Sequence, residues 1–134
     1  MRLPTEVSGL VVHGDKIGRT IGYPTANIGV SDGLSCICFG IYGGIAEVVD
    51  GEFRGLRRLA AISYGTRPTV SGSETRFEAH LLDFSGDLYG AILKVSILKH
   101  VRPEMKFPSM AELVLAIAED VRHIRSLVDL PMSD

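Results

Sequence analysis

The sequence predicts a mainly β domain, a small antiparallel barrel or sandwich, with one α-helix at its C-terminal end. Two observations lead to this fold class: five or six short apolar runs follow one another at close spacing, and a single later stretch has helical periodicity. The chain has 134 residues, which suits one domain, and it contains neither an internal repeat nor a dividing linker. We therefore expect a single domain over residues 1–134.

The predicted strands are the apolar runs at residues 7–13, 41–49, 53–64, 76–84 and 91–99. Asp50-Gly51 separates two of these runs, and Asp-Gly favours a hairpin because both residues accept positive φ angles. Residues 85–87, Ser-Gly-Asp, predict a second hairpin between the last two runs.

The predicted helix has apolar residues at steps of three and four from Met110 to Val128. Ser109 can cap its start, and Glu112 completes a capping box. One amphipathic helix should therefore pack on the β structure.

Composition excludes several classes of protein. With 46% hydrophobic and 22% charged residues, the chain is unlike a disordered one. The net charge of −2 opposes a broad nucleic-acid or membrane surface, and no apolar run is long enough for a transmembrane helix. Residues 1–13 lack a signal-peptide pattern. Cys36 and Cys38 lie two apart, and in a strand such a pair does not meet the Cα spacing and converging Cβ vectors that a disulfide needs, so we expect a reduced, cytoplasmic protein.

The glycine-rich segment 14–22 has Gly14, Gly18 and Gly22 at steps of four, with Lys16 and Arg19 between them. Such a loop can bring backbone N–H groups and positive charge close to phosphates. The alternative is a flexible turn between strands.

The segment Pro24-Thr25-Ala26-Asn27 follows that loop. In an extended chain Thr25 and Asn27 face the same way, and their neutral oxygens suit Mg²⁺ that is shared with substrate phosphates. An ordinary loop with local hydrogen bonds is the alternative.

The run at residues 76–81 alternates, so that Arg76, Glu78 and His80 share one face. A carboxylate between two side chains that can carry a positive charge can act as a general base, and His80 can orient it. A solvated outer sheet face would show the same alternation.

Together these segments resemble the riboflavin kinase (flavokinase) family. The matching segments are GDKIGRTIGYPTAN at 14–27, ISYGTRPT at 62–69, FEAHLLDFSGDLYG at 77–90 and VRPEMKF at 101–107, with Gly40-Ile41-Tyr42 and the Ala118-Glu119-Asp120 helix in agreement. The resemblance spans about residues 5–127. It implies a six-stranded Greek-key β-barrel with a C-terminal helix, and an enzyme that transfers the ATP γ-phosphoryl group to the riboflavin 5′-hydroxyl, giving FMN and ADP.

The resemblance also implies roles for individual residues. Glu78 would be the catalytic base, and Thr25 and Asn27 would hold Mg²⁺ or another divalent metal. The implied ATP-binding residues are Gly14, Gly18, Arg19, Thr25, Leu81, Asp83 and Tyr89. The implied flavin-binding residues are Arg102, Glu104, Met105 and Phe107.

Residues 35–39 and Tyr64 depart from the family pattern, and they motivate an alternative: a flavin- or nucleotide-binding module without turnover. Many bacterial members of the family carry an FMN adenylyltransferase domain, so this chain is either a stand-alone kinase or a domain of a bifunctional enzyme. The expected partners are riboflavin, ATP and an FMN adenylyltransferase domain or protein, with no nucleic acid and no membrane. A closed barrel also favours a monomer.

Overall fold

A closed antiparallel β-barrel forms the body of the protein, in a computed structural model that describes residues 3–12, 23–29 and 37–127. Its strands follow the order β1-β2-β5-β4-β3-β6 around the barrel. They span β1 Thr5–Val12, β2 Ala26–Gly29, β3 Gly40–Val48, β4 Arg57–Thr69, β5 Gly72–Leu81 and β6 Ile92–Arg102, and one helix, α1, spans Met110–Leu127. The predicted mainly β barrel with a C-terminal helix is confirmed.

The predicted Greek key is visible in the strand order. Strands β3, β4 and β5 are hairpin-connected neighbours, and β2 lies beside β5, which gives the Greek-key arrangement of four strands. The tightest connection joins Thr69 to Gly72, where only two residues separate β4 from β5.

The hairpin predicted at residues 85–87 is wrong. Strand β5 pairs with β2 and β4, whereas β6 pairs with β1 and β3, so both edges of each strand are already occupied. The chain instead leaves β5 through Asp83, at φ 57°, and crosses the end of the barrel. Phe84 packs edge-on against Phe53 there, with ring centroids 5.0 Å apart.

The hairpin predicted around Asp50-Gly51 is confirmed, although its connection is longer than two residues. Strands β3 and β4 pair from Glu47 and Arg57 onward, and Gly51 turns the chain at φ 83°. The Asp50 side chain accepts a hydrogen bond from the Ile92 N–H at 2.8 Å, which ties this connection to β6.

The barrel interior is filled by alternate residues of every strand, as expected for a small closed sheet. Its largest fully buried side chains include Tyr42, Ile62, Leu93 and Ile97. Gly44 lets β3 approach β6, because a Cβ there would lie 2.0 Å from the Ser96 carbonyl oxygen.

Helix α1 packs on the outside of the barrel, mainly against β3 and β4. Ile124 is fully buried, and a Cβ at Gly43 would lie 3.0 Å from it. The predicted cap is confirmed, since the Glu112 N–H donates to Ser109 Oγ at 3.2 Å. Among the described residues, none of the helical structure is long and apolar enough to cross a bilayer.

Candidate active site

Glu78 occupies the middle of β5 on the outer face of the barrel. Its neighbours Phe77 and Ala79 point into the core, so alternation directs Glu78 outward. The side chain is nevertheless buried, with the residue only 7% exposed. A buried carboxylate requires partners, because an isolated charge is costly away from water.

Two of the partners of Glu78 lie on either side of its carboxylate. The Thr25 hydroxyl donates a hydrogen bond to Oε2 at 3.2 Å, and Arg76 Nε lies 3.2 Å from Oε1. The positive charge of Arg76 favours the ionised carboxylate, which is the form that can accept a proton. The predicted outer face of this strand is therefore a polar cluster rather than a solvated surface.

Asn27 joins this cluster through the register of the sheet. It lies on β2 directly opposite Glu78, and directly opposed residues of antiparallel strands share a face. The structure thus brings together Thr25, Asn27 and Glu78.

The donor set at this position fits a hard divalent cation. Thr25 Oγ1 uses its hydrogen toward Glu78, which leaves its lone pairs as acceptors. Hydroxyl and amide oxygens next to a carboxylate are ligands that Mg²⁺ accepts. No group of three or more His, Cys, Asp or Glu side chains with metal-binding geometry occurs within the described residues, so protein charge alone does not build a metal site there.

One row of residues connects Glu78 to the start of the segment after β6. Ser63 lies opposite Glu78, Ile41 opposite Ser63, and Arg102 opposite Ile41. Three strand spacings of about 4.8 Å place Arg102 roughly 14 Å from Glu78 along the curved sheet. The two predicted groups of site residues therefore lie on one face.

Arg102 is fixed by α1. Its Nε and one terminal nitrogen donate to the two carboxylate oxygens of Asp120, each at 2.9 Å. The guanidinium carbon also lies 5.4 Å from the centre of the Phe107 ring. These contacts hold both ends of residues 102–107, the segment predicted to contact flavin.

Glu104 and Met105 have different environments within the same segment. Glu104 Oε1 lies 3.4 Å from the Thr66 N–H, which donates to it, and against Gly65, where a Cβ would clash with the carboxylate. Met105 is exposed, so its side chain is available to an apolar ligand.

The comparisons with known proteins agree on one family. The family model "Riboflavin kinase" matches residues 1–128. The chain belongs to the riboflavin kinase family. The similarity covers both groups of site residues described above.

Three individual proteins illustrate the relationship. The bifunctional riboflavin kinase/FMN adenylyltransferase of Escherichia coli K12 is 44% identical over 117 residues, which are 87% of this chain and 36% of that protein. A crystal structure of a macrolide-efflux protein from Streptococcus pneumoniae has a TM-score of 0.80 at 35% identity, covering 93% of this chain and 40% of the other. The riboflavin kinase of Trypanosoma brucei has a TM-score of 0.65 at 29% identity, covering 96% and 82%. The chain thus spans about a third of the length of the bacterial relatives.

The predicted ATP-binding residues of this riboflavin kinase family member are less closely grouped. Leu81 is buried in the barrel core. The Asp83 carboxylate forms two hydrogen bonds with Arg125, and these hold the pKa of Asp83 below its usual value. Tyr89 is exposed, and its N–H donates to Asp87 Oδ1 at 2.9 Å.

The other predicted phosphate-binding residues, Gly14, Gly18 and Arg19, lie outside the described residues. Their roles stay predictions.

The partner of Arg102, Asp120, was not predicted from the sequence. Asp120 lies three residues after Ile117 and four before Ile124, at the edge of the apolar stripe of α1. An acidic residue in that position is rarely buried without a cationic partner. That placement was the available signal.

Proposed function

We propose that this chain transfers the γ-phosphoryl group of ATP to the 5′-hydroxyl of riboflavin, giving FMN and ADP. The observation that carries the proposal is the buried Glu78 carboxylate, hydrogen-bonded to Thr25 and directly opposite Asn27. Membership of the riboflavin kinase family supports the choice of substrates.

Glu78 acts as the general base. Its carboxylate accepts the proton of the 5′-hydroxyl while that oxygen forms a bond to the γ-phosphorus, and the bond from phosphorus to the β–γ bridging oxygen breaks to release ADP. Arg76 places a positive charge 3.2 Å from Oε1 of this carboxylate. Thr25 orients it through the hydrogen bond to Oε2.

Thr25 and Asn27 would hold Mg²⁺ together with the phosphates of ATP. When bound, the ion would neutralise negative charge on the phosphates. Because neither ligand carries a charge, we propose that the chain binds the metal together with nucleotide rather than alone.

Residues 102–107 supply the flavin side of the site. The Phe107 ring and the exposed Met105 offer apolar surface to a flat ring system, and the Arg102–Asp120 pair holds the segment in place. We propose that Arg102 acts mainly through this support, since its guanidinium is already bonded to Asp120.

Two of the residues that depart from the family pattern, Phe39 and Tyr64, pack against each other, while residues 35 and 36 lie outside the described residues. Phe39 and Tyr64 make an edge-to-face contact with ring centroids 4.8 Å apart. This contact leaves the hydrogen bond between Thr25 and Glu78 intact, so it gives no support to the alternative of a binding module without turnover.

The deciding experiment measures FMN formation from riboflavin, ATP and Mg²⁺ by the wild-type chain and by Glu78→Gln. The amide cannot accept the proton, so we expect kcat to fall by about 10²- to 10⁴-fold with little change in flavin affinity. Glu74→Gln is the matched control, because Glu74 is an exposed residue on the same strand and the same face. A folded wild-type chain that forms no FMN contradicts the proposed function, and an active Glu78→Gln variant removes Glu78 from the chemistry.

We also propose that the chain acts in the cytoplasm as a monomer and that an FMN adenylyltransferase consumes its product. The bifunctional description of the bacterial relatives supports the last point. Sedimentation equilibrium at micromolar concentration tests the monomer.

A further inference from the structure

Two side chains of β5 contact the same short segment, which lies immediately before β2. Glu78 and His80 lie two residues apart on the outer face of β5. Glu78 accepts the hydrogen bond from Thr25 Oγ1, and His80 Nδ1 lies 2.7 Å from the carbonyl oxygen of Pro24. The adjacent residues Pro24 and Thr25 are therefore held by two separate contacts.

The contact of His80 defines its tautomer. A carbonyl oxygen only accepts hydrogen bonds, so His80 Nδ1 must carry the hydrogen. The Tyr23 ring packs edge-on against the imidazole, with centroids 5.5 Å apart and planes at 79°. These two contacts fix both the direction and the plane of the ring.

Within the described residues, the pairing of β2 with β5 does not extend to this segment. Strand β2 starts at Ala26, and its register with β5 comprises only Ala26 with Ala79 and Asn27 with Glu78. Pro24 has no N–H and cannot donate to a ladder. Among the described residues, two side chains of β5 therefore hold the backbone before β2, and His80 makes the shorter of the two hydrogen bonds.

We propose that His80 is a positioning residue for the metal–nucleotide side of the site: its Nδ1–H holds the Pro24 carbonyl and so places the Thr25 hydroxyl. This inference rests on the proposed function. It differs from the expectation that His80 orients Glu78, because the hydrogen on Nδ1 is given to Pro24.

The test uses three variants of one side chain. Asn places an amide N–H near the position of Nδ1, Gln places it near the position of Nε2, and Ala provides none. We expect His80→Asn to retain the wild-type KM for MgATP within about twofold. His80→Gln and His80→Ala should raise it by about three- to tenfold, which corresponds to one hydrogen bond, and the KM for riboflavin should stay within about twofold in all three.

His123→Asn is the matched control, because His123 is exposed on α1. It should leave both KM values unchanged. The proposal is overturned if His80→Gln has the wild-type KM for MgATP. It is also overturned if His80→Gln raises both KM values and lowers the melting temperature, because His80 would then have a general structural role.

Two measurements do not depend on turnover. Long-range ¹H–¹⁵N NMR of the free chain should show the Nδ1–H tautomer for the imidazole signal that disappears in His80→Asn, and an Nε2–H tautomer would overturn the proposal. Calorimetry with Mg²⁺ and ADP should show the same order of affinities as the KM values. If the wild-type chain forms no FMN, but the wild type and the variants bind MgADP with that order of affinities, the proposed function is refuted and the inference about His80 stands. If the wild-type chain does not bind MgADP, both are refuted.

Discussion

Removing the carboxylate charge of Asp120 should destabilise the protein more than breaking any single exposed ion pair would. The side chains of Arg102 and Asp120 are 20% and 8% exposed, and two hydrogen bonds of 2.9 Å join them. Asp120→Asn leaves the guanidinium without its counter-charge in a mostly buried place. Breaking a buried pair costs about 3–5 kcal/mol, and the partial exposure of Arg102 places the expected loss near the lower end, at about 3 kcal/mol.

Urea denaturation followed by circular dichroism measures this loss. For a domain of this size, about 3 kcal/mol corresponds to a fall in melting temperature of roughly 10 °C. The double variant Arg102→Met/Asp120→Leu removes both charges, so we expect it to cost clearly less than Asp120→Asn alone. With the single variants Arg102→Met and Asp120→Leu added, a double-mutant cycle isolates the coupling between the two residues.

The control is the pair formed by Glu119 and Arg122 on the same helix. Both side chains are 71% exposed, so Glu119→Gln should cost less than about 1 kcal/mol. If Asp120→Asn costs no more than Glu119→Gln, or if the double variant is the least stable of all, burial does not govern the strength of the Arg102–Asp120 pair and the reasoning fails.

Three further changes have defined outcomes. Gly65→Ala places a Cβ against the Glu104 carboxylate, the end of an exposed side chain that can move aside, so it should cost no more than about 1 kcal/mol in urea denaturation, chiefly through the lost hydrogen bond from the Thr66 N–H. A larger loss that the second substitution Glu104→Ala does not relieve would contradict this. Asp83→Asn should cost less than about 1 kcal/mol at pH 7, because its pair with Arg125 is exposed. The pKa of Asp83 is lowered in the folded chain, so the contribution of its charge to the free energy of unfolding is complete above the unfolded pKa of about 3.9 and is lost as the pH falls below that value. A stability difference between wild type and Asp83→Asn that grows below pH 4 would contradict this. Ser109→Ala should cost about 1 kcal/mol through the lost helix cap, and an unchanged midpoint would show that the cap contributes nothing.

Local rules predicted the parts of the fold that depend on neighbouring residues. The alternation around Glu78 and the cap at Ser109 are such features, because each is decided within a few residues of sequence. The hairpin at residues 85–87 was mispredicted for the opposite reason. Which strand pairs with β6 depends on the closure of the whole barrel, and a Ser-Gly-Asp turn carries no information about it.

The same distinction applies to the site. The spacing of Thr25 and Asn27 indicated that their oxygens share a face, whereas their place beside Glu78 follows from pairing between strands 51 positions apart, Asn27 with Glu78. The pairing of Arg102 with Asp120 could not be predicted from local spacing, because Asp120 lies 18 positions away on helix α1. The spacing of residues in the sequence identified the chemical groups. Only the contacts between strands and helix in the folded chain showed which of these groups lie together.

Helix α1 supports the two sides of the proposed site with unequal strength. Asp120 holds Arg102 in a largely buried pair, whereas Arg125 holds Asp83 in a pair whose side chains are 46% and 67% exposed. Screening by water weakens the second contact far more than the first. The flavin-side segment is therefore anchored to the barrel through the helix, while the connection that follows β5 depends more on the packing of Phe84 than on its ion pair. A rise in salt concentration should consequently loosen the Asp83 side first, and Glu78, buried between Arg76 and Thr25, should be affected least.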